Sequence, residues 1–196
     1  LYFFNPLTKA FLIKQKQAVK NSGEKVIKQL TILYSDLKTA KELVYDPGGY
    51  DLKNLTIHTE GSSYSSCSYE IKGKIIEYRS SKITPSKTGQ FVTIWRRNKE
   101  GITRPLDSSD EMDFIIISSA TDENFGLFVF PKPVLLIKGI ISQNSEGGKR
   151  GMRVYPPWDI VSNKQAEKTQ SWQKKYFAWI KGNNQTYLSL IKTLLK

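Results

Sequence analysis

Asp113-Phe-Ile-Ile-Ile-Ser-Ser-Ala-Thr-Asp-Glu-Asn-Phe-Gly-Leu-Phe-Val-Phe-Pro-Lys132 is the stretch on which the fold turns. Two apolar runs, rich in β-branched and aromatic residues, flank a polar turn, which is the pattern of a buried β-hairpin. A turn centred between Asp122 and Glu123 sets Asp113 directly opposite Lys132. Cross-strand partners share a face of the sheet, so a carboxylate and an ammonium are expected to meet at the open end of the hairpin.

Outward from the hairpin, the chain alternates strand and helix patterns. Residues 55–59, 68–71 and 74–78 read as strands, the last two joined at Lys72-Gly73, and 90–95 as a strand covered on both faces. Residues 26–44 repeat apolar positions at three- and four-residue steps until Asp46-Pro47-Gly48-Gly49, so a helix covering the sheet is expected there. Residues 152–155 alternate like a strand ending at Pro156-Pro157-Trp158. Ser162 with Gln165 fits a capping box for a helix over 165–180, with Trp172, Tyr176 and Trp179 on its buried stripe. A helix over 8–20 and a short terminal one carrying Leu188, Ile191 and Leu195 complete the reading. The fold class expected is α/β, a single domain with a mixed β-sheet flanked by helices. It divides into a helical N-terminal extension (1–30), the principal domain (31–182) and a short C-terminal helix (183–196).

The 196 residues hold 30 Lys+Arg against 18 Asp+Glu, a formal charge of +12. An excess of that size attracts polyanions. The charge is also unevenly placed. Lys82, Lys87, Arg96, Arg97, Lys99 and Arg104 precede an acidic island that runs from Asp107 to Glu123, and Lys132, Lys138, Lys149, Arg150 and Arg153 follow it. No apolar run approaches the ~20 residues of a membrane span, and one cysteine excludes an internal disulfide framework. A cytoplasmic protein without a membrane partner is therefore expected. The single histidine, His58, sits on a strand and argues against a serine triad or a histidine-based zinc site. No motif specifies an oligomeric state.

Four segments carry a family resemblance: Lys82-Ile-Thr-Pro-Ser-Lys-Thr-Gly-Gln-Phe-Val-Thr-Ile-Trp-Arg-Arg97, Gly126-Leu-Phe-Val-Phe-Pro-Lys132, Gly147-Gly-Lys-Arg-Gly-Met-Arg-Val-Tyr-Pro-Pro-Trp158 and Gln165-Ala-Glu-Lys-Thr-Gln-Ser-Trp-Gln173. Together they resemble the MepB family of bacterial proteins over roughly residues 35–180. The resemblance implies a cytoplasmic bacterial protein whose relatives are sometimes encoded beside a multidrug efflux pump and its repressor. It also implies a restriction-endonuclease-like, PD-(D/E)xK core and binding of single-stranded DNA.

Such a core would place Asp113 and Lys132 as a catalytic pair, with Asp113 holding Mg²⁺ or Mn²⁺. The chain departs from that motif. Phe130 and Pro131 fill the position of the second acid and the one after it, and a phenyl ring offers no hard oxygen ligand. Catalysis would require another carboxylate, Glu77, Asp110 or Glu111, to fold in. Binding requires no cofactor. Phosphate contacts are expected from Lys82, Lys87, Arg96, Lys132, Lys149, Arg150 and Arg153, stacking from Trp95 and Tyr155, and polar contacts from Gln165, Lys168 and Gln170. Aromatics interleaved with cations, and the absence of a basic recognition helix, favour single strands over duplex. The alternatives are a divalent-metal-dependent nuclease and an accessory protein that binds a small ligand or a partner linked to drug efflux.

Overall fold

The computed structural model of the protein describes residues 35–181, 191–193 and 195. The described part of the chain begins with helix α1 (Ser35–Ala40), which widens into a π-type turn at Lys41–Tyr45. Strands β1 (Lys53–Ile57), β2 (Cys67–Ile71) and β3 (Lys74–Ser80) follow. Next come β4 (Lys82–Thr84) with β5 (Lys87–Thr93), and β6 (Trp95–Arg97) with β7 (Thr103–Pro105). The central hairpin is β8 (Phe114–Ala120) and β9 (Phe125–Pro131). Helix α2 (Lys132–Ile137), strand β10 (Gly151–Val154), helix α3 (Lys164–Gln173) and strand β11 (Phe177–Lys181) complete the described elements.

The expected mixed sheet is present. It has six strands in the order β1-β2-β3-β8-β9-β11, with β3 and β8 parallel and the other neighbours antiparallel. The hairpin holds the register read from the sequence: Phe114 faces Pro131, Ile115 faces Phe130, and the Lys132 N–H donates to the Asp113 carbonyl at 2.9 Å. Lys72 and Gly73 both take positive φ (51° and 76°), the geometry a two-residue hairpin turn between right-twisted strands requires.

Successive residues of a strand face opposite sides, so each side of the sheet needs its own cover. Along β8, Ile115 and Ile117 join the main core with Phe128, Phe130, Val92 and Ile94. Ser118 points the other way and donates to Asp36 of α1 at 2.9 Å, while the buried hydroxyls of Tyr45 and Tyr69 meet at 2.7 Å beneath that helix. Helix α1 therefore covers one face. The other is covered by a second, three-stranded sheet of order β10-β5-β4, whose Val92, Met152 and Val154 enter the core. Residues 82–89 contribute β4 and the turn into β5 to this second sheet.

The helix expected over 165–180 stops at Gln173, and Phe177–Lys181 forms an edge strand against β9. Phe-Ala-Trp-Ile suits either period, and a tertiary contact decides it. Gly126 on β9 has no side chain, so the Phe177 ring can lie across it; a Cβ there would collide with that ring and with the Ala178 carbonyl. The cap also shifts by one residue from Ser162, since Asn163 accepts the Ala166 N–H at 2.8 Å. The helix expected over 8–20, the part of 26–44 before Ser35, and Leu188 lie outside the described residues. Ile191 and Leu195 are buried. None of the described helices is long and apolar enough to cross a membrane.

Two buried groups are governed by their surroundings. Cys67 on β2 is 0% exposed, and burial pushes its thiol up to about 12. The Asp107 carboxylate accepts from the Ser142 hydroxyl (2.7 Å), the Ser109 N–H and hydroxyl (2.9 and 2.7 Å) and the Ser145 N–H (3.0 Å). These donors, the Ser142 hydroxyl foremost, hold its carboxyl well below the usual carboxylate range. A native pKa below the unfolded value gives stability that is present above roughly pH 4 and is lost as pH falls towards the native pKa. Asp107→Asn is accordingly expected to cost about 2–3 kcal/mol at neutral pH and to flatten the acid limb of the stability profile. Urea melts of both proteins at stepped pH would show this, and parallel profiles would refute it.

Candidate nucleic-acid interface

Strand β10 and helix α3 diverge around a groove of about 550 Å³. The strand alternation aims Met152 and Val154 into the core and leaves Gly151, Arg153 and Tyr155 on the groove side. The first turns of α3 bring Asn163, Gln165 and Thr169, and Trp172 forms a wall. Lys87 reaches in from the start of β5, Lys138 from the end of α2 and Lys149 from the glycine-bracketed loop before β10. Among the described residues that line it, none is acidic. Among the described residues no carboxylate pairs with Lys87, Lys138 or Lys149. The groove thus collects free cations beside two aromatic rings, with the Lys138 ammonium 5.5 Å from the centre of the Trp172 ring.

Of the residues read from the sequence as nucleic-acid contacts, Lys87, Lys149, Arg153, Tyr155 and Gln165 converge here. They do not act alike. The Arg153 guanidinium donates to the carbonyls of Gly89 (3.0 Å), Lys87 (3.3 Å) and Thr88 (3.4 Å) and to the Thr84 hydroxyl (2.8 Å). It shapes the β4–β5 turn and contributes its charge to the groove more than its donors. Gln173, fully buried, accepts the Tyr155 N–H and donates to the Arg153 carbonyl, which ties β10 to α3 and fixes the groove's width.

Other predicted contacts fall elsewhere. Arg96 donates to Glu77 (2.6 Å) and Asp110 (3.3 Å), and Trp95 lines a separate cavity with Arg97 5.7 Å from its ring. Lys82 lies over the Tyr64 ring, 5.0 Å away. Gln170 is buried and donates to the carbonyls of Pro156 and Asp159, so it holds the Pro-Pro-Trp turn. Arg150 and Lys168 are exposed and do not line the groove. Sequence reasoning missed Lys138; Trp172 packs on the core as expected, its ring 5.3 Å from that of Phe130, and also lines the groove. Lys138 had a signal, being the one charge in the apolar run 134–141, which a core would reject.

The Asp113–Lys132 register holds, yet the two side chains part. An Asp113 carboxylate oxygen accepts the Ile75 N–H at 2.8 Å, and Lys132, first residue of α2, donates its ammonium to the Asp110 carbonyl at 2.7 Å. Phe130 is a fully buried core ring. The carboxylates that could have folded in are engaged: Asp110 by Arg104 at 2.6 and 2.9 Å, and Glu77 by Arg79 and Arg96. Glu111 stays exposed. Among the described residues no three metal-ligating side chains converge. The residues present do not fit a divalent cation, and no cleavage step follows from them.

A family model described as MepB-like matches residues 58–179. The crystal structure of MepB aligns with a TM-score of 0.63 at 34% identity, covering 65% of this chain and 86% of that one. The structure of a bacterial homing endonuclease aligns with a TM-score of 0.39 at 14% identity, covering 71% of this chain and 90% of that one, a likeness too distant to build on. None of the curated proteins matches.

Proposed function

This chain belongs to the MepB-like family, and from that premise we propose that it binds nucleic acid in the groove between β10 and α3, taking single strands in preference to duplex. The observation that carries this reading is the groove in which, among the described residues, no acid stands and Lys87, Lys138 and Lys149 have no carboxylate partner, beside Tyr155 and Trp172. Cations spaced around a cleft neutralise successive phosphates, and every base has a face that can stack on an indole or phenol whatever its sequence. A duplex hides those faces. The lone, buried Cys67 suits a reducing compartment, so the proposal includes the cytoplasm.

The direct test is the affinity of a fluorescent single-stranded oligonucleotide against a duplex of equal length over a salt series. Three to four neutralised phosphates should give a slope of log affinity on log salt of about −2 to −3, with residual single-strand affinity at moderate salt from stacking. Equal, weak binding of both that vanishes with salt would overturn the proposal. Trp172→Ala should weaken single-strand binding roughly tenfold and leave the salt slope unchanged, because a base loses its stacking partner and no charge is removed. Anisotropy titrations at several salt concentrations separate the two effects.

A further inference from the structure

A second cavity, of about 400 Å³, opens where β1–β3 meet β6. On β3 the side facing the core layer changes from apolar to ionic, since Glu77 and Arg79 pair in register with Ile115 and Ile117 of β8. Glu77 is 2% exposed and Arg79 3%. A fold gains little from such a pair, because well-packed apolar residues of similar volume serve stability as well or better.

The hydrogen bonds leave a defined remainder. Both Glu77 oxygens are engaged, one by Arg96 at 2.6 Å and the other by Arg79 Nη1 at 3.2 Å. Asp110 serves Arg96 and Arg104. Three guanidiniums thus share two carboxylates, and one positive charge is left over. Arg79 Nη1 also donates to the Tyr78 carbonyl at 2.7 Å, so Nε and Nη2 have no partner among the described residues. His58 lines the same cavity, 3.8 Å from Glu77, and its buried Nε2 has no hydrogen-bond partner among the described residues. A buried imidazole nitrogen left without a partner is costly, and the edge of a guanidinium is shaped to hold an oxyanion through two parallel bonds.

We infer that this cavity binds the oxyanion head, phosphate or carboxylate, of a small ligand between the free edge of Arg79 and His58 Nε2, with the body of the ligand against Trp95. The rim favours a small molecule over a nucleic-acid strand. Glu60, itself 3.7 Å from Arg97, and the exposed Glu111 both border the opening and would repel a run of phosphates. The inference is independent of the groove reading.

His58 is the only histidine, so its ring resonances report on this cavity alone. In the free protein, burial first, and then Arg79 and Arg96, hold its pKa below the ordinary value against the pull of Glu77 and Glu60. Titrating the full chain with inorganic phosphate, and separately with benzoate, at constant ionic strength should displace those resonances saturably and raise the His58 pKa. The stronger of the two probes identifies the head group. Arg79→Gln should weaken binding roughly tenfold or more by removing the charged donor edge. Should that variant fail to fold, Ser68→Leu, opposite Glu77 in the β2–β3 register, fills the cavity from β2 without removing a charged group, and should abolish the response. No saturable displacement by either probe, the same displacement by chloride, or an unchanged response in a folded variant would overturn the inference.

Discussion

Lys138→Glu together with Lys149→Glu should lower single-strand affinity about a hundredfold at physiological salt, with little change in melting temperature. Neither ammonium has a carboxylate partner among the described residues, so reversing them breaks no ion pair and the fold loses little. Each reversal replaces attraction to a phosphate with repulsion in a cleft partly shielded from solvent, worth about 1.4 kcal/mol per site after screening, or tenfold each. Arg150→Glu and Lys168→Glu are the internal controls. Both carry the same charge change on the exposed surface outside the groove and should cost less than about threefold. Equal losses for both pairs would mean that only the net charge matters, and the groove would lose its claim.

Glu77→Ala should destabilise the protein by about 3–5 kcal/mol, the largest single-residue effect expected here. The carboxylate is the counter-charge of a buried guanidinium, and its removal strands Arg79 where water cannot compensate. Lys41 and Asp46 make the instructive comparison: their closest approach, 2.6 Å, equals that of Arg96 and Glu77, but both side chains are about half exposed. Breaking the surface pair should cost less than about 1 kcal/mol, because solvent replaces what is lost. Chemical denaturation of the two alanine variants side by side would show whether burial or distance sets the energy. Similar costs would refute the argument from burial.

The hairpin was legible because everything that sets its register is local: two apolar runs, one polar turn, and partners close along the chain. Lys87, Lys149, Arg153, Tyr155 and Gln165 were legible as an interface because cations beside glycines and aromatics do little for a core. What could not be read depended on distant residues. Nothing near Arg96 announces that Glu77, nineteen positions earlier, will engage its guanidinium. Phe177–Lys181 carries an apolar pattern that fits a helix, and only the gap above Gly126 makes it a strand. Lys132 shows the limit in a single residue. Its backbone obeys the predicted register, but as the first residue of α2 its side chain swings to Asp110, so register alone did not establish a site.

The thiol of Cys67 gives the native protein a built-in clock. Sealed within β2 and holding its proton to about 12, it presents no thiolate to a disulfide reagent while the sheet is closed. Labelling is expected only in molecules whose β1–β2–β3 edge has come apart. In reagent excess the slow appearance of labelled chains, followed by mass, should therefore time the opening of that edge, and should quicken in step with urea. Labelling as fast as that of a free thiol would mean that the edge stands open already.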